Sequence, residues 1–491
     1  MKSNKFIVIN EKDNVMIALD NYPKGHILNG IELLEDIRIG HKIALCDISE
    51  GQNVIKYGCP IGRSTANIQK GSWVHVHNVK TNLSDVVEYT YTRDEFPTFE
   101  KKERKVNVYL RADGNVGIRN EIWVIPTVGC VTGQAKKIVE RFLENHPKLL
   151  VDGVYTFNHP YGCSQMGDDG VVTLKTLCNI IKHPNAGGVL VLGLGCENTQ
   201  ISIVQKELGS WDESRIKFLN IQDVSDEITE ANKLLDEIYE VAKKDMRSPQ
   251  GLEKIKIGLE CGGSDGLSGI TANPLIGRVS DSVISSGGTT VLTEVPEMFG
   301  AEQILLNQCD NEELYNKLVD TINDFKYYYK KHDQVIYENP SPGNKNGGIT
   351  TLEDKSLGCI RKAGSTPVID VLKMTELVTK PGLNVIASPG NDGVATTILG
   401  MCGCQLVLFS TGRGTPLGGF IPTVKVSTNT YLYERKPNWI DFNSGNINSE
   451  NAQETLDEFL ELIIDIINGK KTKNEENGFR EIAIFKSGVT L

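Results

Sequence analysis

The sequence predicts a multidomain chain: a small all-β N-terminal domain, then two α/β Rossmann-like regions with mostly parallel sheets. Three observations carry this. The chain has 491 residues, more than one hydrophobic core organises, so several domains are required. Residues 1–90 hold short apolar runs broken by turn residues, the mark of antiparallel strands. From Val106 onward the rhythm changes to strand, glycine-rich turn and helix, the signature of βαβ units.

Taken in order, Phe6–Ile9, Val15–Leu19, Lys42–Cys46, Val54–Tyr57 and Trp73–Val79 read as strands, with Lys24-Gly25-His26 and Ile39-Gly40-His41 between them. Residues 91–105 are polar and highly charged and read as a linker. The first α/β region, 106–250, is expected to carry strands at Ile122–Val128, Gly153–Phe157, Val189–Leu194 and Ile216–Ile221. Helices should begin near Gln134, Asp168 and Thr199, and a charged amphipathic helix should run to Lys244. The second region, 251–491, is expected to carry strands at Lys256–Glu260, Thr289–Glu294, Asn384–Ala387 and Gln405–Phe409. Asn339–Gly348, rich in Pro, Gly and Asn, reads as an excursion loop.

Composition excludes several classes. The balance of 52 basic against 63 acidic residues gives a formal charge of −11 with no basic block. That argues against nucleic acid or an anionic membrane as partner, and an anionic substrate would need local positive groups. No stretch reaches the apolar length of a membrane span. Met1–Lys5 followed by Phe6–Ile9 has too short an apolar part for a signal peptide. Eleven scattered cysteines, mostly beside glycine, are no disulfide framework and suit a reducing cytoplasm.

Three patterns carry chemistry. His75-Val76-His77-Asn78 follows a strand start, and at period two both imidazoles share one face. That is half of a first-row metal site or an acid/base pair; the plain alternative is an exposed strand with two polar residues. Cys130, Cys163 and Cys196 are each 33 positions apart, and each sits just after a strand. In an open parallel sheet such positions share the edge where ligands bind. Their glycine-rich turns suit a carboxylate at helix N-termini, and three thiolates suit an iron–sulfur cluster. Alternatively, cysteine is there simply as a small residue in a tight turn. Third, Thr411-Gly412-Arg413-Gly414 places a guanidinium between glycines, suited to clamping a carboxylate, with a surface ion pair as the alternative. The hairpin-like Leu110–Asn120, with Arg111 and Arg119, is a weaker signal because charged turns are commonplace. No GxxxxGK[ST] loop is present, and no clean GxGxxG follows the first α/β strand, so ATP and NAD are not expected.

These motifs resemble the altronate/galactarate dehydratase family. Lys56-Tyr57-Gly58-Cys59-Pro60-Ile61-Gly62 and Gly71-Ser72-Trp73-Val74-His75-Val76-His77-Asn78 look like its SAF-type β-clip domain. Gly114–Asn120, Asn158–Gln165, Glu260–Asp265 and Thr411–Thr415 are similar to its body, so the resemblance covers nearly the whole chain. It implies loss of water from a hexonate or hexarate to a 2-keto-3-deoxy acid, with Fe(II) or a similar divalent metal such as Mn(II). The length is closer to the altronate than to the galactarate branch, so altronate and 2-dehydro-3-deoxy-D-gluconate, in hexuronate catabolism, are the expected pair. Galactarate dehydration is the enzymatic alternative and a sugar-acid sensor the non-catalytic one. Sulfolactate sulfo-lyases usually split the β-clip and the body into two chains, and the fused chain argues against them.

Dehydration of a 2,3-dihydroxy acid needs a base at C2, a cation on the enediolate and an acid at the C3 hydroxyl. His75 and His77 are expected on the metal or in proton transfer, and His159 is a further catalytic candidate. Arg413 is expected on a carboxylate, with Thr411, Asn78, Ser164 and Gln165 around the substrate. Cys130, Cys163 and Cys196 are the alternative iron ligands, through a cluster. Domain limits of 1–90, 91–105, 106–250 and 251–491 are expected, in a homo-oligomer.

Overall fold

The structure, a computed structural model, describes residues 6–84 and 87–490; the Met1–Lys5 segment lies outside them. In the N-terminal region an antiparallel sheet runs in the order Phe6–Ile7, Val15–Ala18, Lys42–Ala44, Trp73–Val74. A second sheet joins Asn53–Lys56, Cys59–Ser64 and Val79–Lys80. Strand alternation divides the side chains. Met16, Ala18 and Ile43 pack with Leu33 in the domain's own core, whereas Val15 and Ala44 join the large core shared with the body. The expected strand Trp73–Val79 is interrupted: its two ends belong to different sheets, with a turn between them.

The charged stretch after the β-clip is extended and straps across the C-terminal region. Tyr91 Oη donates to the Cys309 carbonyl at 2.9 Å, and Arg93 pairs with Asp310. Strand Lys105–Leu110 then pairs antiparallel with Ser248–Gly251, stitching together the points where the chain enters and leaves the first α/β region.

That region has a four-stranded parallel sheet in the order Gly153–Thr156, Glu121–Pro126, Ala186–Gly193, Ile216–Asn220. The C-terminal region has a seven-stranded parallel sheet: Val368–Leu372, Gly382–Ile386, Thr289–Leu292, Lys256–Cys261, Leu406–Thr411, Thr423–Ser427, Phe442–Asn443. The first and the last two of these strands were not expected from sequence. Strands buried on both faces read as continuous apolar runs, whereas polar-containing ones such as Thr423–Ser427 hide their β character. Trp123 and Phe157 of the first α/β region pack with Phe409, Phe420 and Ile398 of the C-terminal region, so the two regions share a core.

Asn339–Gly348 is not a free excursion loop. It contains a short helix, Pro342–Asn346, closed by a Ser341/Asn344 capping box, and is pinned to the β-clip. Lys42 Nζ donates to the Gly348 carbonyl at 2.7 Å, and His41 Nε2 lies 3.3 Å from the Asn346 carbonyl oxygen. Among the described residues no helix is long and apolar enough to cross a membrane.

Candidate functional site

The residues singled out in the sequence fall in three places. The first is the cleft between the β-clip and the Pro342–Asn346 helix. Here the two histidines do not share a strand face, because residues 75–78 form a turn. Asn78 closes that turn: its Oδ1 accepts from His75 N at 2.9 Å and its Nδ2 donates to the Trp73 carbonyl at 2.8 Å. A turn cancels the two-residue alternation, so His75 is buried and His77 exposed. His75 stacks on Trp73 and its Nδ1 lies 3.1 Å from Thr350 Oγ1. Asn78 thereby fixes the turn that carries the two imidazoles.

The sequence reading missed His41, whose ring lies 5.0 Å from that of His75. Trp73 Nε1 donates to His41 Nδ1 at 3.0 Å, which leaves Nε2 as the protonated nitrogen facing the Asn346 carbonyl. Burial, then the neighbouring Lys42 ammonium, pushes His41 down to about 4 and His75 down to about 3, so both are neutral at pH 7. With Arg38, Trp73, Lys345 and Asn346 they line a cavity of about 990 Å³, ample for a sugar acid.

The second place is the carboxyl edge of the four-stranded sheet. Cys130, Cys163 and Cys196 follow three adjacent strands, and all three thiols are free and exposed. Their loops are bonded to one another. Gly129 N donates to the Tyr161 carbonyl at 2.8 Å, Thr199 N to the Gly162 carbonyl at 3.0 Å, and Ser164 N to Asn198 Oδ1 at 2.8 Å. Gly162 (φ 100°) is required there, since a Cβ would lie 2.0 Å from the Thr127 carbonyl oxygen. His159 is buried, with Nε2 2.8 Å from the Pro126 carbonyl and Nδ1 accepting from Tyr161 N. Both nitrogens are engaged in holding the loop. Gln165 Oε1 accepts from Gly162 N, while its Nε2 is buried without a partner. Ser164 adopts φ 60°, and its Oγ lies 3.8 Å from Cys163 Sγ.

The third place is the carboxyl edge of the seven-stranded sheet. Thr411 is buried and its Oγ1 accepts from Gly414 N at 3.0 Å, shaping the turn that presents Arg413. Arg413 is exposed and makes no ion pair among the described residues. At the end of strand Lys256–Cys261 lies a buried charged cluster that the sequence reading missed apart from Cys261. Lys362 Nζ is 2.7 Å from Cys261 Sγ and 3.3 Å from Glu294, Cys261 Sγ is 3.4 Å from Cys359 Sγ, and Lys355 pairs with Glu297. The hydrogen bond with Cys359 draws Cys261 down to about 7, against burial and with help from Lys362. The signal available was a Glu-Cys pair ending an apolar strand and Glu294 just past the next one.

Two groups among the described residues bring three potential ligand atoms within 4.8 Å of one another: Cys261, Glu297 and Cys359, and Glu260, Glu294 and Asp392. Among the described residues the three exposed thiols form no such single-ion group. Thiolates that each bind a different iron of a cluster sit wider apart than the ligands of one ion, so this spacing does not bear on a cluster.

Three family models match in sequence order: the altronate/galactarate dehydratase SAF domain over residues 4–82, the second domain of D-galactarate dehydratase/altronate hydrolase over 108–243, and the C-terminal domain of D-galactarate/altronate dehydratase over 252–490. The chain is 54% identical to the altronate dehydratase of Escherichia coli K12, covering 99% of this chain and 100% of that protein. It belongs to the altronate/galactarate dehydratase family. The altronate dehydratase of Bacillus subtilis 168 is 53% identical over the whole of both chains, and the galactarate dehydratase (L-threo-forming) of E. coli K12 is 33% identical over 98% and 96%. In this family member the SAF domain does not float on a linker. Lys42 and Lys56 both reach the buried Asp354, at 2.7 and 2.9 Å, and fix it to the C-terminal domain.

Proposed function

We propose that this chain is a hydro-lyase that converts altronate to 2-dehydro-3-deoxy-D-gluconate, with iron as its Lewis acid. The observation that carries the substrate is the gap between 54% and 53% identity to two altronate dehydratases and 33% to a galactarate dehydratase, all over nearly full length. The residues also fit the need. Among the three places, the thiol edge best suits iron, because Cys130, Cys163 and Cys196 stand exposed on three mutually bonded loops. Iron held there would polarise the hydroxyl that leaves and the carboxylate whose enediolate forms. Ser164 and Gln165 lie on the same loop as Cys163 and would hold substrate hydroxyls, a role supported by the Gln165 amide nitrogen, which is buried with no partner. His159 keeps that loop in place.

A second reading puts the chemistry in the β-clip cleft, favoured by its size and its cations. Arg38 and Lys345 would hold the carboxylate. His75, held neutral and with Nδ1 engaged by Thr350, would take the C2 proton on Nε2 or bind Fe(II) or Mn(II) with His77.

The experiment is a keto-acid assay with altronate and galactarate, run on protein purified without oxygen, beside iron analysis and an absorption spectrum. Altronate turnover at least tenfold above galactarate supports the reading. Equal or reversed rates move the substrate to galactarate, and a protein that binds altronate without turnover is a sensor. A chelated, metal-free chain with full activity removes the Lewis acid.

A further inference from the structure

We infer that Glu260, Glu294 and Asp392 form a site for a single hard divalent cation, of the Mn(II) or Mg(II) class, at the carboxyl edge of the seven-stranded sheet. This rests on the carboxylates alone and holds whichever sugar acid the chain dehydrates.

Three adjacent strands deliver the three residues. Glu260 is the next-to-last residue of Lys256–Cys261, Glu294 follows Thr289–Leu292, and Asp392 opens the helix Asp392–Met401 that follows Gly382–Ile386. One oxygen of each lies within 4.8 Å of the others. This is the crevice where open parallel sheets take ligands.

Two of the three carboxylates carry orphaned oxygens. Glu260 is 0% exposed, and neither of its carboxylate oxygens has a hydrogen-bond partner. Glu294 is 1% exposed; its Oε2 accepts from Cys261 N and Lys362 Nζ, while its Oε1 has no partner. Glu294 also holds φ 64°, ψ 56°, a left-handed conformation that a side-chain-bearing residue adopts only under constraint. Buried carboxylates without partners are costly, and three so close repel one another. Either they hold protons or a cation sits among them.

The surrounding ammonium groups do not supply that cation. Lys362 is drawn to Cys261 and Glu294 Oε2, Lys355 to Glu297, and Lys425 Nζ bonds the carbonyl oxygens of Thr415 and Leu417. These contacts also separate the two groups of potential ligands. The Cys261/Glu297/Cys359 group already has one ammonium on Cys261 Sγ and another on the Glu297 carboxylate, whereas the all-oxygen group has only Lys362, and that on an oxygen other than the orphan. Three carboxylates are a donor set for a hard ion, not for one that seeks thiolate.

The test is Mn(II) binding to the full-length chain, stripped with a chelator and carrying Cys130→Ser, Cys163→Ser and Cys196→Ser, so that the exposed thiols take no part. Loss of the free Mn(II) electron-spin signal counts the sites, and thermal melting reads the coupling to the fold. One Mn(II) per chain and a melting point about 5 °C or more higher at saturation are expected. Glu294→Gln and Asp392→Asn should each abolish both effects, and Asp392→Asn should melt without metal no lower than the parent, because it relieves repulsion without removing the partner of a buried ammonium. Asp392, only half buried, keeps the test standing if the Glu294 variant does not fold. No Mn(II) or Mg(II) bound by the parent, or equal binding by the parent and Asp392→Asn, overturns the site.

Discussion

Lys42 of the β-clip and Asp354 of the C-terminal domain meet at 2.7 Å, both with fully buried side chains. Lys56 reaches the other carboxylate oxygen at 2.9 Å, and Thr350 N donates to the first at 3.0 Å. Burial works against the charged form of Asp354, but the two ammonium groups outweigh it and hold the carboxyl well below its usual range. One carboxylate therefore fastens two β-clip cations. Asp354→Asn leaves two buried ammonium groups with no counter-charge, a loss of about 3–5 kcal/mol. Urea unfolding should show that loss, with proteolysis releasing the β-clip first. A midpoint within error of the parent would mean that apolar packing alone docks the domain.

The exposed thiols predict a different phenotype. Cys130→Ser, Cys163→Ser and Cys196→Ser should each fold with a stability change within about 0.5 kcal/mol, since the side chains are surface groups. Each should lose bound iron and at least a hundredfold in turnover. Chelation should abolish the parent's activity and Fe(II) under reducing conditions should restore it. The replacements His75→Ala and His77→Ala should leave the iron in place. Iron lost from the histidine variants and kept in the serine variants would move the metal to the β-clip.

Arg413 makes no ion pair among the described residues, so its role is tested by affinity. If it clamps a substrate carboxylate, Arg413→Lys loses one of two charge-assisted hydrogen bonds, about 1.5–3 kcal/mol. KM for altronate should rise roughly ten- to hundredfold by the same energy, with melting unchanged. An unaltered KM assigns the carboxylate to other cations, with Arg38 and Lys345 the first to replace.

What the sequence made legible follows from periodicity. The spacing of Cys130, Cys163 and Cys196 repeats with the βα unit, so their shared edge is legible in the chain's own rhythm. The His75/His77 face is not. The turn that breaks it is closed by side-chain hydrogen bonds of Asn78, which leave no apolar pattern. Arg119 reads as a charge in a turn yet is buried, with Nε 2.7 Å from Glu475 of a distant segment. The Glu260, Glu294 and Asp392 grouping is hidden for the same reason. Each residue is unremarkable locally, and only the order of the strands in the seven-stranded sheet brings them together.

His41 and His75 set the acid limit of the fold. Folded, burial and then Lys42 hold them at about 4 and about 3, while in the unfolded chain an imidazole titrates near about 6.5. Between these values the unfolded chain binds protons that the folded chain refuses, so stability rises with pH across the window. The contribution is complete above pH 6.5 and is lost as the pH falls toward 4 and then 3, at up to about 1.4 kcal/mol per pH unit for each ring. The charges around the pair act in both directions. Lys42 and Arg38 oppose protonation of His41, Lys42 opposes that of His75, and Asp354 favours protonation of both. The check is unfolding free energy from pH 7 to pH 4.5 in chelator, for the parent and for His41→Gln and His75→Gln. Glutamine cannot titrate, so each variant should flatten the slope, whatever its stability at pH 7. Parallel slopes in all three proteins would show that neither ring stays neutral in the folded chain, and the C2 base of the β-clip reading would go with them.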